Sequence, residues 1–437
     1  MFKKALGIFM FGILLTGLAA CGNGNETPQP TEPEPVIETV IVEQVPEPPV
    51  EAEPEGLLPG RIAIVTNTFV QNPEEYISAQ YILNKFGEEY VIHRTWPLMF
   101  MQEGEMMIEI LQEIANDPDV RVLIINQAVE NTNAAVEAFR ERRDDVFVIY
   151  ASPNDSRLAR DHRRAEGNPQ VILGHYNVIA ENADLIFNTN RPTIGYHFVR
   201  QAVTMGAETI IHYSSSRHMA VPHLAARRDG IRDAAEAAGI AFHDLDSYDP
   251  LIERSDFVGL PFFPGGGWDV SKRVAEFGVN TAFFSTLCRH QLPILDRVFE
   301  YGAIYVQPCC PSPFHVFPVA LGIAANQSEA LEYFSPAEMI EAIRKEVIAA
   351  DVTGRISTIP LPDGMLFTYT AVEYGIKWMR GEVSKEEIDL EVLSQIMVDV
   401  IAEQTGVEGL GVNLTKHEFE GNIFPNFILV TQDYLTF

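Results

Sequence analysis

Positive charge is scarce in this chain: 31 Lys and Arg stand against 61 Asp and Glu, for a formal charge of −30. That balance argues against nucleic acid, which rewards clustered basic residues. It also argues against adsorption to an anionic membrane surface through charge alone. Catalytic signatures are missing too. The sequence has no Gly-x-Ser-x-Gly elbow, no His-Glu-x-x-His and no Walker phosphate loop. No enzyme is expected, although triads assembled by geometry leave no trace in sequence order. Long apolar runs are lacking as well. The most hydrophobic stretch, Ala5 to Ala20, falls short of the ~20 residues a spanning helix needs.

What that stretch does have is a charged start, Lys3-Lys4, and small residues ahead of Cys21. Together these read as a secretory signal over residues 1–20. Leu18-Ala19-Ala20-Cys21 resembles the bacterial lipobox, which implies a lipidated Cys21 as the mature N-terminus and an extracytoplasmic, membrane-anchored protein. Residues 22–60 hold nine Glu, nine Pro and no Lys or Arg. Such a stretch buries too little apolar surface to order itself, and proline with mutual repulsion keeps it extended. Residues 21–60 are therefore expected to be a spacer. Without Lys3 and Lys4 the chain keeps 29 basic and 61 acidic residues, a charge of −32.

From Arg61 onward, about 377 residues exceed what one core usually serves, so two lobes are expected. Short β-branched runs alternate with helical patterns. Arg61–Val65, Tyr90–Ile92, Val122–Ile125 and Val146–Tyr150 read as strands, with helices between them. Uninterrupted Val/Ile runs suit strands buried on both faces, and their alternation with helices means a parallel sheet. The pattern restarts after Thr193. Strands are expected at Glu208–His212, Ile240–His243, Asn280–Ser285, Ala303–Val306 and Arg355–Ile359, and helices at Ala220–Ala238, Asp269–Phe277 and Leu292–Tyr301. The expected fold is α/β, with two doubly wound lobes and a ligand cleft beyond the carboxyl ends of their strands. Residues 61–192 with 361–437 would form one lobe and 193–360 the other.

The segment Ala226-Arg227-Arg228-Asp229-Gly230-Ile231, running on to Gly239-Ile240, resembles the second-lobe helix of type I periplasmic binding proteins. Gly354 to Glu382 resembles the passage by which that superfamily's sugar binders return to the first lobe, and Asn190 to Gly206 resembles the forward crossing. There is also a resemblance to a family of bacterial lipoproteins known only as a domain of unknown function. The resemblance implies a lipid-anchored protein that closes on a small polar solute and presents it to a membrane importer. The alternative it implies is a receptor of the same shape coupled to a membrane signalling protein. Four positions depart from the sugar binders. Ala225 stands in place of an Arg, Ser152-Pro153-Asn154 in place of Asp-Arg, Cys288-Arg289 in place of Asn-Asp, and Pro360 in place of Gln. A neutral sugar is accordingly expected to bind poorly, and a ligand with a carboxylate, a phosphate or a flat polar ring to be preferred.

By this topology the cleft should be lined by Asn67, Thr68, Phe69 and Gln71, then Asn126 and Gln127, then Ser152 and Asn154. The second lobe should add Tyr213, Ser214, Ser215, Arg217, Ser285, Thr286 and Arg289. Amides and hydroxyls suit a polar molecule, and an Arg suits an acid. Helices begin at these same places, so about half are expected to be caps or turn formers. Trp268, after Gly265-Gly266-Gly267, offers a flat face for a ring. Cys288, Cys309 and Cys310 end neighbouring strands, with His290 and His315 close in sequence. Outside the cytoplasm a disulfide from Cys288 to one of the pair is expected. The same residues offer soft ligands, but their spacing matches no standard zinc pattern, and no metal or cofactor is expected.

Overall fold

The computed structural model describes residues 57–153, 169–191, 193–251, 260–262 and 268–437, with the backbone alone at Pro222 and Trp268. The expected signal, the lipid site Cys21 and nearly all of the spacer lie outside these residues. Asn154, the glycine run and the Trp268 side chain do too.

The first half alternates strand and helix. Its elements are β1 (Arg61–Thr66), α1 (Pro73–Phe86), β2 (Val91–Thr95), α2 (Gly104–Ala115) and β3 (Val120–Asn126). They continue with α3 (Thr132–Arg140), β4 (Phe147–Ala151), α4 (Pro169–Asn182) and β5 (Leu185–Thr189). The second block holds α5 (Ile194–Thr204), β6 (Thr209–Ser214), α6 (Ser216–Met219), α7 (Pro222–Ala238) and β7 (Ala241–Asp246). It goes on through α8 (Trp268–Phe277), β8 (Thr281–Ser285), α9 (Cys288–Tyr301), α10 (Phe317–Ala320), α11 (Gln327–Tyr333), α12 (Pro336–Ala349) and β9 (Ser357–Thr358). The chain then returns through α13 (Asp363–Met379), α14 (Leu390–Thr405), β10 (Val412–Phe419), β11 (Asn422–Gln432) and β12 (Leu435–Thr436).

The larger sheet has the order β10-β11-β5-β4-β3-β1-β2. It is parallel throughout except for the antiparallel β10–β11 hairpin at one edge. Its central strands carry the continuous apolar runs: every residue of β4 is buried, and so is all of β3 but Arg121. This is what helices on both faces require. The smaller sheet, β7-β6-β8, is also parallel. It extends through single bridges from Ala282 to Ile304 and from Tyr305 to Ile356, and then through β9 paired with β12. The strand expected at Ala303–Val306 is present only as those two bridges. The one expected at Arg355–Ile359 shortens to β9, bracketed by Gly354 and Pro360. Helix α9 starts at Cys288, so Cys288 and Arg289 occupy its first turn rather than a loop.

The chain passes between the sheets three times, at 190–193, 359–362 and 433–434. Helix α13 is buried nearly all round because it packs against β3, β4, α1 and α14. One continuous set of buried side chains runs from Ile64, Ile124 and Phe187 of the larger sheet through Leu366 and Phe367 to Tyr213, Phe283 and Tyr305 of the smaller. Among the described residues, no helix is long and apolar enough to cross a membrane.

Candidate functional site between the sheets

Where the carboxyl ends of the two sets of strands approach, they leave a cavity of about 200 Å³. Two larger hollows of roughly 400 Å³ lie elsewhere, one against the starts of β1 and β2 and one beside α14. The inner cavity has charged walls. Glu74 and Glu75 come from the first turn of α1, where Pro73 starts the helix and the positive end of its dipole favours acids. Gln127 follows β3, Ser152 follows β4, Thr189 ends β5 and Arg191 follows it. From the other side come Arg227 on α7 and the Cys309-Cys310 pair, while Asp363 opens α13 at the second crossing.

Close backbone approaches set these side chains. A Cβ on Gly195 of α5 would lie 2.6 Å from the Arg227 carbonyl and 2.8 Å from the Ile231 nitrogen. Only glycine lets α5 and α7 cross so tightly, and that crossing carries Arg227 to the cavity. Gly364 plays the same part for Glu75, whose carboxyl group would lie 2.7 Å from a Cβ there.

The acids are held out of water and their pKa values rise accordingly. Burial, and then the neighbouring Glu75 charge, push Glu74 up to about 8. Its Oε1 accepts from Ser312 Oγ (2.8 Å) and Gln327 Nε2 (3.1 Å), which ties α1 to the opposite block. Glu74 keeps some surface exposure but is surrounded by protein. Burial also raises Glu75, whose Oε1 accepts from Gln127 Nε2 at 3.2 Å. It raises Asp363 too, against hydrogen bonds from Thr189 Oγ1 and from Gln432 Nε2 (2.7 Å). Asp363 therefore joins all three crossings: Thr189 precedes the first, Asp363 ends the second and Gln432 precedes the third.

Arg227 is the opposite case. It is 7% exposed and its pKa is lowered by burial. Nη1 donates to the Cys309 carbonyl at 3.1 Å, and the guanidinium carbon lies 4.9 Å from the Phe284 ring centroid. Among the described residues Nε has no hydrogen-bond partner, and no carboxylate pairs with Arg227. A buried cation with no described anion beside it is costly.

Gln127 and Ser152 are the residues expected in the cleft that line this cavity. The others are engaged around it. Asn67 Nδ2 donates to Asn72 (2.8 Å), Thr68 Oγ1 to Gln71 (2.9 Å), and Phe69 meets Tyr76 edge-on. Asn126 Nδ2 bonds the Gly364 carbonyl and Thr368 Oγ1 at 2.8 and 2.9 Å, fastening the start of α13. Tyr213 donates to Asp269 (2.7 Å), and Ser214 shares a hydrogen bond with Thr286 (2.8 Å). Ser215 and Arg217 both donate to Asp249 Oδ2 at 2.8 Å, and Ser215 also caps α6. Ser285 bonds His290 at 3.0 Å. Arg289 is exposed, so the positive charge at the cavity is that of Arg227 and Arg191 instead.

Sequence reasoning passed over Glu74, Glu75, Arg191, Arg227 and Asp363. The available signal was Pro-Glu-Glu opening a helix straight after the β1 loop, at a strand's carboxyl end. The cysteines are free thiols rather than a disulfide, with Cys288 Sγ 3.2 Å from Cys309 Sγ. Hydrogen bonds from the Cys309 and Cys310 thiols hold Cys288 below the usual thiol range.

Two parallel α/β blocks, crossings between them and a cavity at their strand ends define the type I periplasmic-binding-protein-like fold. A crystal structure described as a "putative transcriptional regulator" from Clostridium difficile 630 shares it, with a TM-score of 0.70 at 17% identity over 86% of this chain and 99% of that one. A more distant likeness is to a sugar ABC transporter protein from Actinomyces odontolyticus, with a TM-score of 0.44 and 11% identity over 75% and 86% of the two chains. The chain belongs to the family described as a protein of unknown function, DUF3798, whose model matches residues 61–163 and 170–357. An uncharacterised protein of Treponema pallidum (strain Nichols) is 24% identical over 243 residues, 56% of this chain and 98% of its own length.

Proposed function

We propose that this protein is an extracytoplasmic solute-binding protein that holds a small acidic, polar molecule between two lobes. We take the lobes as 61–192 with 361–432, and 193–360 with 433–437, which moves 433–437 out of the first lobe expected from sequence because β12 pairs with β9. The observation that carries this reading is Arg227, a buried guanidinium beside the cavity with no carboxylate partner among the described residues. An acid group of the solute pairs with Arg227 and Arg191, while amine or hydroxyl groups meet Glu74, Glu75, Gln127 and Ser152. At about 200 Å³ the cavity is smaller than the ~300–1,000 Å³ typical of drug-sized ligands, which points to a compact metabolite. Cys21 carries the lipid anchor and residues 22–60 the spacer, so the bound solute is presented to a membrane importer. Hinge motion at the three crossings opens and closes the site.

Calorimetric titration with organic acids, amino acids, nucleosides and neutral pentoses or hexoses tests the reading on the wild type and Arg227→Met. Binding of an acid that weakens at least tenfold in the variant is expected. Micromolar binding of a neutral sugar, unchanged by Arg227→Met, would overturn it.

A further inference from the structure

We infer that Cys288, Cys309, Cys310 and His315 form a binding site for a thiophilic d10 cation, Zn²⁺ or Cu⁺, at the edge of the cavity. The site goes beyond the solute reading and does not depend on it. Sequence spacing hid the cluster because its members come from different parts of the second block. Cys288 opens α9 after β8, and Cys309-Cys310 follow the bridged segment at Ile304 and Tyr305, five residues before His315. Folding brings a ligand atom from each of Cys288, Cys309 and His315 within 4.8 Å of one another.

The spacings suit a metal. Cys288 Sγ is 3.2 Å from Cys309 Sγ, and Cys310 Sγ is 4.0 Å from Cys309 Sγ. Sulfurs around a tetrahedral zinc, each at about 2.3 Å from the metal, lie ~3.8 Å apart. The thiols need only small adjustments to reach that separation.

The histidine is prepared for the same task. Its Nδ1 lies 3.0 Å from the Cys310 carbonyl, which can only accept, so Nδ1 must carry the proton. In the neutral ring Nε2 then keeps its lone pair. Metal-binding histidines are commonly oriented in this way, by a carbonyl on the opposite nitrogen. Thiolates with one imidazole are soft donors and select Zn²⁺ or Cu⁺ over Ca²⁺ or Mg²⁺. Coordination displaces the thiol protons to solvent and involves no redox step.

The full chain, reduced, stripped with chelator and desalted, is titrated with Zn²⁺ and separately with Cu⁺ against chromophoric chelators, with no solute added. One equivalent bound at sub-micromolar Kd by either cation is expected, and the two titrations distinguish the cations. Co²⁺ should give a thiolate-to-metal charge-transfer band. Cys288→Ser, at an exposed position that leaves packing intact, should weaken binding at least 100-fold and remove the band, and His315→Ala should weaken it at least tenfold. The inference is overturned by a fully reduced protein that binds neither cation, or by binding unchanged in Cys288→Ser and His315→Ala. Protein isolated without reductant in which every molecule carries a Cys288–Cys309 disulfide would overturn it equally. None of these outcomes alters the Arg227 test, so the two readings fail separately.

Discussion

Glu74→Gln probes how the two blocks are held together. In the folded protein Glu74 titrates at about 8, against 4.5 for an ordinary glutamate, mainly because it is buried. The folded state therefore binds more protons than the unfolded state between those values. The neutral carboxyl's contribution is complete below pH 4.5 and is lost as the pH rises through about 8. A gap of that size sets a ceiling of about 5 kcal/mol. Because Glu74 keeps some exposure, screening by water reduces the expected loss to roughly 1–3 kcal/mol. Glutamine is neutral at every pH, and its Oε1 can still accept from Ser312 and Gln327. Urea midpoints from pH 5 to pH 9 should fall for the wild type and fall less for Glu74→Gln, which should be the more stable protein at pH 9. A remaining slope is expected from Glu75 and Asp363, which are raised in the same direction. Equal slopes in both proteins would refute the role given to Glu74.

Gly195→Ala should cost roughly 1–3 kcal/mol, because its Cβ meets the Arg227 carbonyl at 2.6 Å; thermal unfolding measures it. Asp363→Ala leaves the Gln432 amide without its carboxylate partner and should cost roughly 1–3 kcal/mol. The same change should speed hydrogen exchange at all three crossings, and exchange quickened at only one of them would count against a shared tie. Arg227→Met, tested without solute, should be as stable as the wild type or more so, because a buried charge with no carboxylate partner among the described residues is removed; a lower urea midpoint would contradict this.

The alternation that builds the larger sheet was legible because it is local: Val122–Ile125 and Val146–Tyr150 are apolar on both faces, and β3 and β4 are buried accordingly. The rest depended on distant packing. Glu74 and Glu75 look like the ordinary acidic first turn of any helix. They become cavity walls only because Gly364 and Ser312, more than 200 residues away, close over them. Arg227 was legible as part of a family-like helix, but that its Nε lacks a partner among the described residues is a fact of three dimensions. The hairpin β10–β11 joins the sheet beside β5 through a parallel pairing that no local pattern announces. Strand-end positions such as Asn126 and Ser215 were placed by topology, yet their side chains are turned to bracing the crossing and capping α6.

The most direct test of the central claim is mass spectrometry of the small molecules released on denaturing the protein after gentle extraction from its native membrane. A single low-mass compound bearing a carboxylate or phosphate, near one per protein and absent from folded Arg227→Met, is expected. A neutral compound, or an acid retained equally by the variant, would contradict it.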